Sequence, residues 1–127
     1  MKPQRLAVLP ERLAVCRLGP EEAVPAWAEG ARPRSVTRTD RELSLVVPEE
    51  VVPPEVEAAR GWRALRVEGT LDLAEVGILA ALAAPLADAQ IPIFALSTHD
   101  TDYVLVPEDV LPQALEALQA AGHGIAD

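Results

Sequence analysis

Val67-Glu68-Gly69-Thr70-Leu71-Asp72-Leu73-Ala74-Glu75-Val76-Gly77-Ile78-Leu79 and its continuation Ile91-Pro92-Ile93-Phe94-Ala95-Leu96-Ser97-Thr98-His99-Asp100-Thr101-Asp102-Tyr103-Val104-Leu105-Val106 decide how this chain is read. The first stretch has the pattern of a strand, a short acidic turn and the opening of an apolar helix. The second has the pattern of two strands, rich in β-branched residues, joined by a tight polar turn. Both polar segments therefore fall at the ends of regular elements, where a small domain carries its binding groups.

Working outward, the second half predicts a strand over 62–68, a helix over 72–90, a hairpin of strands 91–96 and 103–106, and a last helix over 108–121. In that helix Leu111, Leu115 and Leu118 share a face, Pro112 is confined to the first turn and Gly122 supplies the stop. The first half predicts a hairpin of 5–9 and 12–18 about Pro10-Glu11, a short helix opening at 21–27 that Pro25 limits, and a second hairpin of 35–39 and 43–47 about Asp40-Arg41-Glu42. Residues 48–61 hold three prolines and read as a connector with a helical turn near 56–60. The order strand, helix, strand, strand thus occurs twice. It predicts an N-terminal unit over 1–61, truncated by the connector, and a complete unit over 62–127. Units of this size are too small to be stable alone and are expected to share a sheet or an interface.

Half of the residues are apolar but only four are aromatic, so Val, Leu, Ile and Ala must fill the core. No apolar run approaches the roughly 20 residues of a membrane span. No long apolar segment follows the basic N-terminus, so a soluble, cytoplasmic protein is expected with no membrane partner. Cys16, the sole cysteine, sits among Leu13, Ala14, Val15 and Leu18 and reads as a buried core thiol. The net charge is −9, and its distribution is informative. All eleven Lys and Arg lie at or before Arg66 against ten acids there, whereas residues 67–127 carry ten acids and no Lys or Arg. Nucleic acid is not an expected partner, because nothing in the second half can neutralise phosphates. The acids form a solvated surface, and some of them are suited to attract a cationic group.

No catalytic constellation is visible. Ser97, His99 and Asp102 are neighbours on one short turn and cannot form a relay with the base between the other two groups. Glu68-Gly69-Thr70 carries a single glycine and is no phosphate loop, so no cofactor is expected. His99 with Glu75 and Asp102 makes a poor metal set, and none is assigned. The expectation is a protein that is not an enzyme.

The strings Glu42-Leu43-Ser44-Leu45-Val46, Glu68-Gly69-Thr70-Leu71-Asp72-Leu73, Gly77-Ile78-Leu79-Ala80 and Ser97-Thr98-His99-Asp100-Thr101-Asp102-Tyr103-Val104-Leu105-Val106 resemble those of short tandem ACT-domain proteins. The chain is similar to the lysine-sensing region of aspartate kinases and to the CASTOR-type arginine sensors of animal cells. The resemblance implies an α+β fold of two ferredoxin-like βαββαβ-type units, with antiparallel sheets and helices on one face. It implies a non-catalytic, allosteric module that binds an amino acid, cationic ones included, and regulates an unidentified enzyme in trans as a homodimer. Matched position by position, it implies ligand-binding roles for Glu75 at the helix start, Thr98 and His99 in the turn, Thr101, and Asp102 at the head of the next strand, with Asp72 a weaker match. His99 departs from the apolar or aromatic residue of the arginine sensors.

Other readings of these residues stay open. Asp72 and Glu75 have capping-box spacing, and Ser97, Thr98, Asp100 and Asp102 are common turn residues. His99 also reads as a solvated histidine and His123 as a charge partner at a helix C-terminus. The competing class is a pure assembly module that pairs with itself or with an enzyme and takes no small ligand.

Overall fold

A computed structural model describes residues 2–126. In chain order its regular elements are β1 (Arg5–Leu18), β2 (Ser35–Arg38), β3 (Leu43–Pro48), β4 (Ala58–Val67), α1 (Ile78–Asp88), β5 (Phe94–Ser97), β6 (Asp102–Pro107), α2 (Leu111–Ala120) and β7 (Gly124–Ile125). Short 3-10 turns occupy Ala26–Ala28, Glu49–Val51 and Glu108–Val110. The fold class is α+β.

Two compact units are present. Residues up to Pro10 join those from Arg63 onward in one, and Glu11–Trp62 form the other. β1 and β4 each supply residues to both. Position 61/62, where the sequence places the division, falls inside β4.

In the larger unit the elements β4-α1-β5-β6-α2-β7 follow the ferredoxin-like order βαββαβ. The strands lie in the order β1-β4-β6-β5, and β7 pairs parallel with β1 through Arg5↔Gly124 and Leu6↔Ile125. Alternation places Leu6, Leu65, Val67, Val104 and Val106 on one face of this sheet. Ile78, Leu82 and Leu86 of α1 and Ala114 and Leu118 of α2 close over that face in a single cluster. Apolar residues two apart in the strands meet apolar residues four apart in the helices, so each element presents one apolar face to the other.

The smaller unit follows the same order with its helices reduced to 3-10 turns: β1, Ala26–Ala28, β2, β3, Glu49–Val51, β4. β3 pairs antiparallel with β1, from Leu13↔Pro48 to Leu18↔Leu43, and with β2, from Ser35↔Val46 to Arg38↔Leu43. Ala14, Cys16, Leu43, Leu45 and Val47 point into one cluster with Ala28 and Val52.

Several local expectations are corrected. Pro10 does not turn the chain, and Arg5–Leu18 is one strand of 14 residues. Proline's φ suits an extended backbone, and a position without a ladder donor is tolerated at an exposed point where the strand passes between units. The helix expected over 21–27 is the 3-10 turn at Ala26–Ala28, entered from Pro25. The helical turn expected near 56–60 is absent, because β4 begins at Ala58. The helix expected from 72 begins at Ile78: Gly77, at φ 83, lies in the left-handed region, outside helical space. The last helix is a 3-10 turn that leads into α2 at Leu111.

Cys16 lies in the core of the smaller unit, and burial raises its thiol pKa above the ordinary value while the Arg60 guanidinium opposes that shift. A raised folded pKa stabilises the fold fully at pH below the ordinary thiol pKa, and that contribution is lost as pH rises through the raised value. Cys16 is therefore expected to react with iodoacetamide far more slowly in the native protein than in denaturant, and denaturation midpoints should fall at alkaline pH less steeply in Cys16→Ala than in wild type.

Candidate functional site

Two segments of the larger unit converge on one cavity of about 340 Å³. The first is the loop that joins β4 to α1, and the second is the turn between β5 and β6. Leu71, Asp72, Leu73 and Glu75 line the cavity from the loop, and the first turn of α1 follows through Ile78, Leu79 and Ala80. Ser97, Thr98, His99, Thr101 and Asp102 line it from the hairpin. All six positions matched in the sequence, Asp72, Glu75, Thr98, His99, Thr101 and Asp102, are thereby brought together.

The two segments are fastened to each other. Thr101 is 7% exposed, and its Oγ1 donates to the Val67 carbonyl at the end of β4, 2.7 Å away. The Leu71 N–H donates to the Asp100 carbonyl at 2.6 Å. The hairpin turn closes on itself: Thr98 N–H donates to Thr101 O at 2.8 Å, and Thr98 Oγ1 accepts the Thr101 N–H at 3.3 Å. Thr101 thus spends its hydroxyl proton on the backbone, and toward a ligand its oxygen remains only as an acceptor.

Asp72 and Glu75 form no capping box, because the helix starts after them. Asp72 Oδ1 instead accepts the Ala74 N–H at 2.9 Å, and Asp72 O accepts the Glu75 N–H at 2.9 Å, a self-contained turn. The helix start has Gly77 at its N-cap and no side-chain cap. First-turn N–H groups have no partner within a helix, so α1 opens on the cavity with donors and the positive end of its dipole. The lining side chains of Asp72, Glu75 and Asp102 are carboxylates, and no Lys or Arg lies among the lining residues. The site pairs backbone donors with side-chain acceptors, which suits a ligand that carries both an anionic and a cationic group.

Ser97 Oγ donates to Asp102 Oδ1 at 2.7 Å, which holds that carboxylate at the head of β6. His99 is 84% exposed and its Nδ1 lies 2.9 Å from Asp100 Oδ1. The imidazole is therefore engaged with Asp100. Among the described residues no cluster of three or more His, Cys, Asp or Glu could hold a metal ion.

His123, read from the sequence as a charge partner at a helix C-terminus, is instead buried between two backbone groups. Its Nδ1 accepts the Gln4 N–H and its Nε2 lies 3.0 Å from the Ala81 carbonyl. A legible signal was Pro85 inside the expected helix, which leaves the carbonyl four residues before it in need of an outside donor.

Thr101→Val should lower stability by roughly 1–3 kcal/mol, as expected when a buried carbonyl loses its donor. Thr101→Ser should restore most of that loss. Urea denaturation of the three proteins checks it.

The ACT domain family model matches residues 57–120, half of the chain, and a second model, for an N-terminal domain, matches 11–55. The cytosolic arginine sensor for mTORC1 subunit 1 of Homo sapiens is 42% identical over 66 residues, which cover 51% of this chain and 20% of that protein. The Rattus norvegicus protein of the same name is 38% identical over 66 residues, with the same coverage. The matched part spans about a fifth of the length of these relatives. Among solved structures, protein Atu0741 from Agobacterium tumefaciens aligns with a TM-score of 0.93 and 35% identity over 99% of this chain and 94% of its own. The regulatory subunit of aspartate kinase from Thermus flavus aligns with a TM-score of 0.63 and 14% identity over 91% and 95%, a likeness of fold alone. Among the described residues no helix is long and apolar enough to cross a membrane. With its ferredoxin-like order and a family match over half its length, this chain belongs to the ACT domain family.

Proposed function

We propose that this protein is a non-catalytic regulatory module that binds an amino acid with a cationic side chain between the β4–α1 loop and the β5–β6 turn. One observation carries the reading. A single cavity combines the uncapped N-terminal turn of α1 with the carboxylates of Asp72, Glu75 and Asp102 and has no basic lining residue. The α-carboxylate of the ligand belongs at the helix start, where N–H groups and the dipole favour an anion. The cationic end belongs among the carboxylates. Thr98, Thr101 and His99 supply the polar rim between them. The volume lies at the lower end of the ~300–1,000 Å³ typical of small-molecule sites. The named ligand of the curated relatives, arginine, fits this polarity. The division into a ligand-binding unit and a smaller ACT-like unit belongs to the same proposal. So do action in trans and a cytoplasmic location.

A second reading, an assembly module, is favoured by Leu73 and Val76, which are 73% and 93% exposed on the same loop. Two large apolar side chains held in solvent beside an acidic cavity suit a surface that a second copy covers. The readings join if the module is a homodimer. Acidic units brought face to face repel, and a bound cation relieves that repulsion.

Calorimetry with arginine, lysine, leucine and glutamate tests the proposal. Arginine or lysine should bind, and Asp102→Ala and Glu75→Ala should each weaken binding at least about tenfold, the equivalent of ~1.4 kcal/mol. Without ligand the melting temperature of Glu75→Ala should change little, because Glu75 is exposed and surface substitutions stay within about 0.5 kcal/mol, and that of Asp102→Ala should fall modestly, because the variant loses the Ser97 hydrogen bond. Unchanged affinity in either variant overturns the site. Light scattering should show a dimer that arginine or lysine tightens more than leucine does. A protein that dimerises but binds none of the four favours the assembly reading.

A further inference from the structure

Pro85 lies inside α1 and has no N–H, so the carbonyl at Ala81 lacks its intrahelical donor. The donor comes from outside the helix. His123 is 6% exposed, and its Nε2 lies 3.0 Å from Ala81 O while its Nδ1 accepts the Gln4 N–H at 3.0 Å. A ring nitrogen that accepts a hydrogen bond cannot carry a proton, so the hydrogen sits on Nε2 and the ring bridges the two backbones as the neutral tautomer. One imidazole thus joins the first turns of α1 to the N-terminal segment.

That segment is fixed on its other side. Gln4 O accepts the Gly124 N–H at 2.9 Å, Arg5 O accepts the Glu68 N–H at 2.8 Å and Leu6 O accepts the Ala126 N–H at 2.6 Å. A second cavity of about 130 Å³ is lined by Lys2 and Gln4 and by Glu75, Val76, Gly77 and Ile78. Glu75, Gly77 and Ile78 also line the larger cavity. The turn that ends in Gly77 therefore borders both spaces.

We propose that His123 is a positioning residue that couples occupancy of the larger cavity to the N-terminal segment, residues 2–6; the coupling deepens the amino-acid reading of that cavity and rests on it. A ligand held at the start of α1 moves the first turn as a packed unit, because helices transmit displacement along their hydrogen-bonded backbone. Ala81 O moves with that turn. His123 passes the displacement to the Gln4 amide, whose bond strengthens or weakens accordingly. Residues 2–6 are then the part of the fold that reports ligand.

Amide hydrogen exchange at Gln4 tests this in the full chain, with two separate perturbations of the cavity. One is saturating arginine. The other needs no ligand: Gly77→Ala, where a Cβ meets nothing within 4 Å and the φ of 83° alone forces a local shift. In wild type both should change exchange at Gln4 by about tenfold or more, the scale of a lost backbone bond. His123→Asn places its side-chain oxygen near the position of Nδ1, keeping Gln4 and releasing Ala81, and His123→Gln does the reverse. In both, Gln4 should stop responding to either perturbation, although His123→Asn still protects that amide. Pro85→Ala, which gives Ala81 O its intrahelical donor without harming the helix, should reduce the response if the histidine variants fail to fold. No change at Gln4 when Gly77→Ala is introduced into wild type overturns the coupling. A response that survives in His123→Asn overturns it too. If Gly77→Ala is felt at Gln4 but calorimetry finds no arginine binding, the coupling stands and the amino-acid reading falls.

Discussion

The hydrogen bond from the Thr101 hydroxyl to the Val67 carbonyl sets the geometry on which the site depends. It ties the end of β4 to the turn that precedes β6, and the Leu71 to Asp100 bond repeats the tie a few residues along. Without those two bonds the loop and the hairpin turn are separate polar segments. With them, carboxylates from both segments face one space. A loop cannot bury its backbone unless its polar groups are paired, and here the pairing brings the loop to the hairpin.

The same element order is realised at two extremes. Val47-Pro48-Glu49-Glu50-Val51 and Val106-Pro107-Glu108-Asp109-Val110 each leave a strand through proline into a 3-10 turn. After the second, the ten residues Leu111–Ala120 bury Ala114 and Leu118 and extend the turn into α2. After the first, Pro53 and Pro54 intervene and β4 begins at Ala58, which leaves no length for a helix. The smaller unit therefore keeps the strands and a compact aliphatic core, while the larger one keeps both helices and the cavity at the start of α1. In the sequence the Lys and Arg residues end at Arg66, so the loop and hairpin that line the cavity carry acids and no Lys or Arg of their own.

Pro85 and His123 show how a local defect is absorbed. Proline in a helix removes a donor and leaves a carbonyl open, a cost that is acceptable only where another group supplies the hydrogen. His123, 42 residues from Ala81 along the chain, does so and is itself satisfied by Gln4 from the opposite end of the sequence. Among the described residues no buried side-chain nitrogen or oxygen lacks a partner.

The sequence by itself determined the doubled order of elements and the two polar segments of interest, because those depend on periodicity and on glycine and proline placement, which are local, and its resemblance to ACT-domain proteins implied the α+β class. It also determined the charge asymmetry, which is a property of composition. The tertiary structure alone decided that Pro10 lies within one strand, since pairing with neighbouring strands outweighs the local turn preference. It decided that Asp72 and Glu75 precede the helix, because Asp72 closes a turn on itself while Gly77 takes a left-handed φ, and a capping pattern cannot foretell that competition. It decided that Thr101 serves the backbone and that His123 is buried, since both roles rest on partners 34 to 119 residues away. Hydrogen bonds across such separations leave no periodic trace in the chain, and only folding reveals which donor meets which carbonyl.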